Sequence, residues 1–359
     1  MTAPTGSSAA EALKAYRQKL EPVLRAFLDR QVEEAARISP FCRDLVGRLR
    51  EFILRGGKRI RPALVYYGAR CFSDGEEEAL LQASISVEIL HNYLIILDDL
   101  MDEDALRRGQ PSFHLQYSEL PFSFPGPRPQ AYGTAMAIIA GNLACWMAVE
   151  ALSTAPFPPD RKSRAFGKLG EVFRQVGYGQ WLDVLSSVRE DFREEEALQV
   201  SRLKTGGYSI EAPLYLGGLL GGATDADLQA FAGYATCLGQ AFQIQDDLLD
   251  LFGQEQRLGK PVGSDLRQSR KNLPIVKALE MATPEDAALL QQVLGNPHPT
   301  PGQMEAAQAA IARSGARDYS RALARSLVEQ AKAALPEGLR RQGRDFLIGL
   351  ADYLVLRDR

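Results

Sequence analysis

Apolar residues recur at three- and four-residue spacing along almost the whole chain and strand-like alternation is nearly absent, which predicts an all-α fold. The longest such runs are Ala9 to Arg37, Glu76 to Asp102, Arg161 to Val188, Asp225 to Leu251 and Gly315 to Leu335. Two of them finish in the same acidic pattern, Asp98-Asp99-Leu100-Met101-Asp102 and Asp246-Asp247-Leu248-Leu249-Asp250. On a helix, residues four apart share a face at about 6 Å of rise, so Asp98 and Asp102 project together, as do Asp246 and Asp250.

Carboxylates gathered at the end of an apolar segment lose solvation and repel one another until a cation neutralises them. Magnesium suits that need. It takes oxygen ligands, keeps several waters, and is typically held by one or two carboxylates together with substrate phosphates. Two facing clusters therefore predict a diphosphate clamp, whereas either cluster alone could be a solvated acidic helix face.

Composition excludes little and narrows much. The 359 residues are 45% apolar and 24% charged, as in an ordinary folded protein. A net charge of -3 gives no support for a nucleic-acid partner, although local basic groups can still bind phosphate. Cys42, Cys71, Cys145 and Cys237 form no CxxC pair, so neither a zinc site nor a disulfide framework is indicated and a reducing, cytoplasmic compartment is expected. Residues 1–10 are small and polar, lack an apolar stretch of the secretory kind, and are expected to be disordered. Ala135 to Leu152 approaches membrane-spanning length, but Asn142 and Glu150 interrupt it and no basic flank accompanies it; a buried bundle helix is expected, not a membrane span. Turn residues punctuate the chain at 55–57, 121–129, 259–263 and 295–301. All are short, and one cleft needs both aspartate clusters, so residues 11–359 are expected to form a single domain. The proline-rich loop 121–129 suggests no role.

Basic groups cluster near the acidic ones. Arg107 and Arg108 follow the first cluster, and a guanidinium can bind phosphate through its planar fork; an ordinary basic helix end is the alternative. Gly56-Gly57-Lys58-Arg59-Ile60-Arg61-Pro62 joins a permissive glycine pair to three cations and a proline suited to a helix start, an arrangement that can bind a second phosphate group. At Lys204-Thr205-Gly206-Gly207 the glycines either loosen a helix and free carbonyl oxygens toward a cation or simply cap a helix end. The segment 217–222 reads as close helix packing. Lys260, Arg270 and Lys271 either close over a phosphate or belong to a solvated loop. His91 lies two turns before Asp98, on nearly the same side, and is either a polar ligand or a satisfied core residue.

The series Gly56 to Pro62, His91, Asp98 to Asp102, Arg107 to Gly109, Gln180-Trp181-Leu182-Asp183, Lys204-Thr205, Phe242 to Asp250 and Gly259-Lys260 resembles the head-to-tail trans-isoprenyl diphosphate synthases, or polyprenyl synthetases. The resemblance covers most of the chain. It implies an all-α barrel around a deep cavity, usually homodimeric, that condenses isopentenyl diphosphate with an allylic diphosphate. It further implies that Asp98, Asp102 and Asp246 bind magnesium, three ions per site, with Asp99, Asp247 and Asp250 supporting the metal shell. Arg107, Lys204, Gln243 and Lys260 would contact the allylic diphosphate, and Thr205 would steady the cation. Lys58, Arg61, His91 and Arg108 would hold isopentenyl diphosphate.

The chain departs from that pattern at Leu97, where histidine is frequent, at Asn142, where aspartate is common, and at Arg270 and Asn272, which replace a lysine and a threonine. Arg270 keeps the charge with a different reach toward diphosphate. Bulk at Tyr93 and Leu94, five and four positions before Asp98, implies an early floor to the product cavity and a short chain of fifteen or twenty carbons, with twenty favoured because Leu94 is smaller than a second aromatic. Two other functions compete. A class I terpene cyclase would share the ionisation step but lack the isopentenyl site and usually the second aspartate cluster; a non-catalytic partner subunit could dispense with the six aspartates that this chain keeps.

Overall fold

The structure is a computed structural model and describes residues 6–118, 128–254 and 262–355. Nearly all of them are helical. The order begins α1 (Gly6–Ile38), α2 (Pro40–Leu54), α3 (Ile60–Arg70) and α4 (Glu77–Met101), followed by a two-residue antiparallel hairpin, β1 (Leu106–Arg107) with β2 (Gln110–Pro111). It continues with α5 (Leu115–Ser118), α6 (Pro129–Ser153), α7 (Pro159–Ser186) and α8 (Glu194–Val200). A π-helical segment (Ser201–Glu211) leads into α9 (Ala212–Leu220) and α10 (Asp225–Phe252). The last six are α11 (Ser264–Arg267), α12 (Leu273–Met281), α13 (Pro284–Val293), α14 (Pro301–Arg313), α15 (Ala316–Ala334) and α16 (Arg341–Val355).

The five periodic runs each became one helix, because their apolar stripes bury in a common core from α1 through α10, closed by α15 and α16. Side-chain caps fix several starts: Ser39 accepts from the Cys42 amide, and Thr224 and Thr300 form capping boxes with Asp227 and Gln303. One expectation needs correction. The expected disordered stretch 1–10 already enters α1 at Gly6, and Ala9 is buried because α16 meets it at Gly349, where an added Cβ would stand 2.9 Å from the alanine methyl. Most of the proline-rich loop, residues 121–127 of 121–129, lies outside the described residues, and Pro129 serves as the first residue of α6.

Helices α4 and α6 are both long and apolar enough to cross a membrane by length and composition alone. They pack on each other instead. Ala137, Gly141, Ala144 and Ala148 make a small-residue face on α6, and a Cβ on Gly141 would already touch Tyr93 and Leu97 of α4 at 3.4 and 3.6 Å. Close approach recurs where α9 crosses α3, since a Cβ on Gly217 would lie 2.1 Å from the Val65 carbonyl oxygen. The glycines of 217–222 thus serve packing, as expected from sequence.

The Lys204 region resolves differently from either of its two expectations. The chain neither caps nor simply loosens there; it stays helical with the wider π winding, and two glycine contacts explain how that widened turn fits. Gly239 of α10 faces Gly206, whose Cα would stand 2.5 Å from an added Cβ, and Gly179 of α7 faces the Lys204 amide nitrogen at 2.4 Å.

Candidate active site

Helices α4 and α10 end beside each other, and each ends in one aspartate cluster. Asp98 and Asp102 from one wall and Asp246, Asp247 and Asp250 from the other line a single polar cavity of about 400 Å³. The walls therefore face, as the repeated pattern predicts. Helix C-termini carry partial negative charge, so carboxylates placed there compound the repulsion and call for cations.

The structure answers part of that call with its own basic groups. Lys204 Nζ lies 3.2 Å from Asp98 and 2.7 Å from Asp183, while Arg270 Nη2 lies 2.6 Å from Asp102 and its Nη1 3.7 Å from Asp183. Arg107 Nε donates to Asp99 Oδ1 at 2.8 Å, and Gln243 donates to Asp247 Oδ1 at 2.6 Å. Asp250 accepts from the Ser264 hydroxyl at 2.7 Å and the Asp265 amide at 3.2 Å, which anchors the second cluster to the start of α11. Thr205 is buried in the π segment and lines the same cavity. Lys260 lies outside the described residues. Lys271, next to Arg270, turns away to the Ser186 carbonyl at 2.7 Å.

Burial dominates the charges of the acidic walls. Desolvation outweighs the Arg107 guanidinium and lifts the Asp99 carboxyl to about 6. Asp102 rises to about 6 for the same reason, with repulsion from Asp98 added. Burial and then Asp265 push Asp247 well above the usual carboxylate range. Burial works against the Lys204 ammonium, yet Asp98, Asp183 and Asp102 hold it well above its ordinary value.

Among the described residues, Oδ2 of Asp99 and Oδ2 of Asp247 are buried without a hydrogen-bond partner, one beside each wall. Orphaned, desolvated carboxylate oxygens fit a hard divalent cation. No three acidic or histidine side chains among the described residues gather closely enough to hold an ion by themselves. Any cation here would complete its shell with waters and phosphate oxygens, which is magnesium's usual habit.

At the other end of the polar cavity stand Arg61, His91 and Arg108. Arg61 donates to Tyr208 Oη at 3.1 Å and Ser209 Oγ at 2.6 Å, and its Nη1 lies 3.1 Å from His91 Nε2. Arginine only donates, so Nε2 must accept and the His91 proton sits on Nδ1, which is buried and has no partner among the described residues. Burial first, and then Arg61 and Arg108, push the imidazole well below its usual range and keep it neutral. Arg108 donates to the Gly56 carbonyl from a left-handed backbone, φ 56°. Lys58 departs from its expected place: its side chain is exposed and its ammonium lies 5.5 Å from the Tyr353 ring centroid.

A second cavity of about 520 Å³ is apolar and shares Ile95, Asp98, Lys204 and Tyr208 with the polar one. Tyr93 and Leu94, expected to form its floor, line its wall part-way down. The space continues past them to Leu90 and Ser86 on α4, with Leu152 of α6 and Phe166 of α7 opposite. The missed participants are Asp183, which binds Lys204 and Arg270 at once, and Tyr208, which joins the two cavities. Asp183 carried one signal, its place in the Gln180 to Asp183 motif, but no spacing announced its partners.

An all-helical barrel with two acidic walls over an apolar pocket defines the class, and comparison with known proteins agrees. The family model described as polyprenyl synthetase matches residues 44–311. The geranylgeranyl diphosphate synthase of Methanosarcina mazei is 32% identical over 303 residues, 84% of this chain and 86% of that one. The geranylfarnesyl diphosphate synthase of Natronomonas pharaonis is 31% identical over 317 residues, again 84% and 86% of the two chains. Among solved structures, the geranylgeranyl pyrophosphate synthase of Corynebacterium glutamicum, complexed with isoprenyl diphosphate and magnesium, superposes with a TM-score of 0.88 at 29% identity, covering 95% of this chain and 99% of that one. The chain belongs to the polyprenyl synthetase family.

Proposed function

We propose that this chain condenses isopentenyl diphosphate with an allylic diphosphate and releases a prenyl diphosphate of twenty carbons. The observation that carries this is the junction of the cavities: opposed carboxylate walls and a cationic end open on one polar chamber, and that chamber runs into an apolar one. Asp98, Asp102 and Asp246 would hold magnesium, three ions per site, with Asp99, Asp247 and Asp250 behind them; the bound metal would neutralise the leaving diphosphate.

The chain's own residues do the rest. Lys204 and Arg270 already stand on Asp98 and Asp102, so an arriving diphosphate would find donors in place and need only draw them off their carboxylates. Arg107, Gln243 and Lys260 would add contacts, and the Thr205 region of the π segment would face the cation at the allylic carbon. Arg61, Arg108 and the neutral His91 Nδ1–H would hold isopentenyl diphosphate, with Lys58 swinging in from Tyr353. The apolar chamber excludes water, so the carbocation meets the isopentenyl double bond before it is quenched. The new carbon-carbon bond forms as that double bond attacks, and the departed diphosphate takes the proton whose loss restores an alkene.

Tyr93 is the proposed stop for the growing chain, since its aromatic ring stands on α4 just before the deeper space at Leu90 and Ser86. A homodimer is supported by apolar side chains left in solvent on two helices consecutive in the chain: Ile138, Ile139 and Trp146 on α6, and Tyr178 and Trp181 on α7, where both tryptophans are 63–68% exposed. Four free cysteines favour action in the reducing cytoplasm. The test is incubation of the purified chain with magnesium, labelled isopentenyl diphosphate and dimethylallyl, geranyl or farnesyl diphosphate, followed by sizing of the dephosphorylated alcohols. Twenty-carbon alcohol is expected. Failure to consume isopentenyl diphosphate with any starter would refute the proposal.

A further inference from the structure

The segment Gly56 to Pro62 brings three cations together in sequence, but of these Arg61 alone lines the polar cavity: Lys58 stands in solvent and Arg59 is withdrawn into the core. The Arg59 side chain is 0% exposed, and its backbone sits in the left-handed region at φ 53°, where a β-carbon is strained. Its Nε donates to Glu21 of α1 at 3.0 Å, its Nη1 to Glu88 of α4, and both terminal nitrogens reach the Ile53 carbonyl at the end of α2 at 3.3 Å. One guanidinium thus ties the start of α3 to three other helices.

Two carboxylates already occupy that guanidinium, so Arg59 has no charge to offer a phosphate. What it controls is direction. Arg61, two residues on, carries its own guanidinium to His91 and Tyr208, and His91 lies one turn beyond Glu88 on α4. Just upstream, the Gly56 carbonyl receives Arg108, and a Cβ on Gly57 would stand 3.2 Å from that arginine. Arg61, His91 and Arg108 are therefore aimed by backbone that the Arg59 brace fixes on both flanks.

We propose that Arg59 is a positioning residue for the isopentenyl diphosphate half of the site, an inference that rests on the function proposed above. The Glu21–Arg59–Glu88 brace sets the loop at Gly56–Gly57 and the first turn of α3 so that the three phosphate donors converge. Asp98 and Asp102 share α4 with Glu88 but lie ten and fourteen positions further on, and Lys204 and Arg270, in the π segment and the turn before α12, pair with those aspartates and not with Glu21, Arg59 or Glu88. Disturbing the brace should fall on one substrate only.

The test is steady-state kinetics of the purified full chain with magnesium, varying isopentenyl and farnesyl diphosphate separately, in wild type, Arg59→Lys and Glu21→Gln. Lysine keeps the charge but, as a point donor, cannot span three acceptors. Its KM for isopentenyl diphosphate should rise on the order of tenfold, with kcat and the KM for farnesyl diphosphate within about twofold. Glu21→Gln weakens one arm at a side chain 25% exposed, so it carries the test even if Arg59→Lys does not fold, and a smaller rise in the same KM alone is expected. A wild type that consumes no isopentenyl diphosphate would refute the function itself. An active wild type whose variants shift both KM values equally, or neither, would overturn the positioning role even if their melting temperatures fell.

Discussion

Replacing Tyr93 by alanine should lengthen the product, and the structure limits by how much. The ring lines the apolar chamber part-way along α4, and the chamber already extends seven positions further, to Ser86. Seven residues of α-helix rise about 10 Å. A five-carbon prenyl unit adds four chain bonds, about 5 Å when extended, so the space past Tyr93 admits roughly two further units. The expected product of Tyr93→Ala is therefore twenty-five to thirty carbons. It should go no further, because Ser86 is 1% exposed and Leu152 and Phe166 close the far side. The cost in stability should be about 1–2 kcal/mol, below the 3–5 kcal/mol of a fully buried aromatic, since Tyr93 is only partly buried. The assay is radio-chromatography of dephosphorylated products, with Tyr93→Ala/Ser86→Phe as the companion that refills the deep end and should return the product toward twenty carbons. An unchanged distribution in Tyr93→Ala would mean that the stop lies elsewhere. Growth well beyond thirty carbons would mean that the chamber does not end at Ser86.

Asp247→Asn removes a desolvated charge whose Oδ2 has no partner among the described residues, so the metal-free protein should melt at the same temperature or higher while turnover falls on the order of a hundredfold; a lower melting point would contradict the repulsion. Asp99 and Asp102 are lifted from 3.8 to about 6, so their contribution to stability without metal is full below about pH 4 and is lost as pH rises through 6. The rise in melting temperature on adding magnesium and diphosphate should accordingly be larger at pH 7 than at pH 5, and a flat or inverted increment in scanning fluorimetry would refute the assignment. His91 is held neutral, so kcat/KM for isopentenyl diphosphate should show no inflection from it between pH 6 and 8; His91→Ala should raise that KM about tenfold, while His91→Gln, which keeps a donor, should raise it less. Trp146→Glu places a charge on the exposed apolar face of α6, and if that face makes the proposed dimer, sedimentation should show wild type as a dimer and the variant as a monomer.

Sequence made legible whatever depends on local periodicity. The helix carrying Asp98 was bounded within a residue at each end, and both aspartate clusters fell on the C-terminal turns where their spacing had placed them. What escaped depends on contacts between distant segments. The π winding at Lys204 could not be read from Gly206 and Gly207 alone, because the reason for it lies in Gly179 and Gly239, which allow two other helices to approach the widened turn. Arg59 is one of three cations in its segment with no role of its own in the sequence, and only its two carboxylate partners, 38 and 29 positions away, give it one. Tyr93 was identified as bulky, but only the packing of α6 and α7 reveals that room remains behind it. Asp183 illustrates the same division: a lone carboxylate in sequence becomes, across 21 positions, the counterion that keeps Lys204 in the cleft when no phosphate is there to hold it. In each case composition chose the residue and tertiary packing chose its job, so substitutions that preserve helix propensity while altering these long-range partners should separate folding from catalysis.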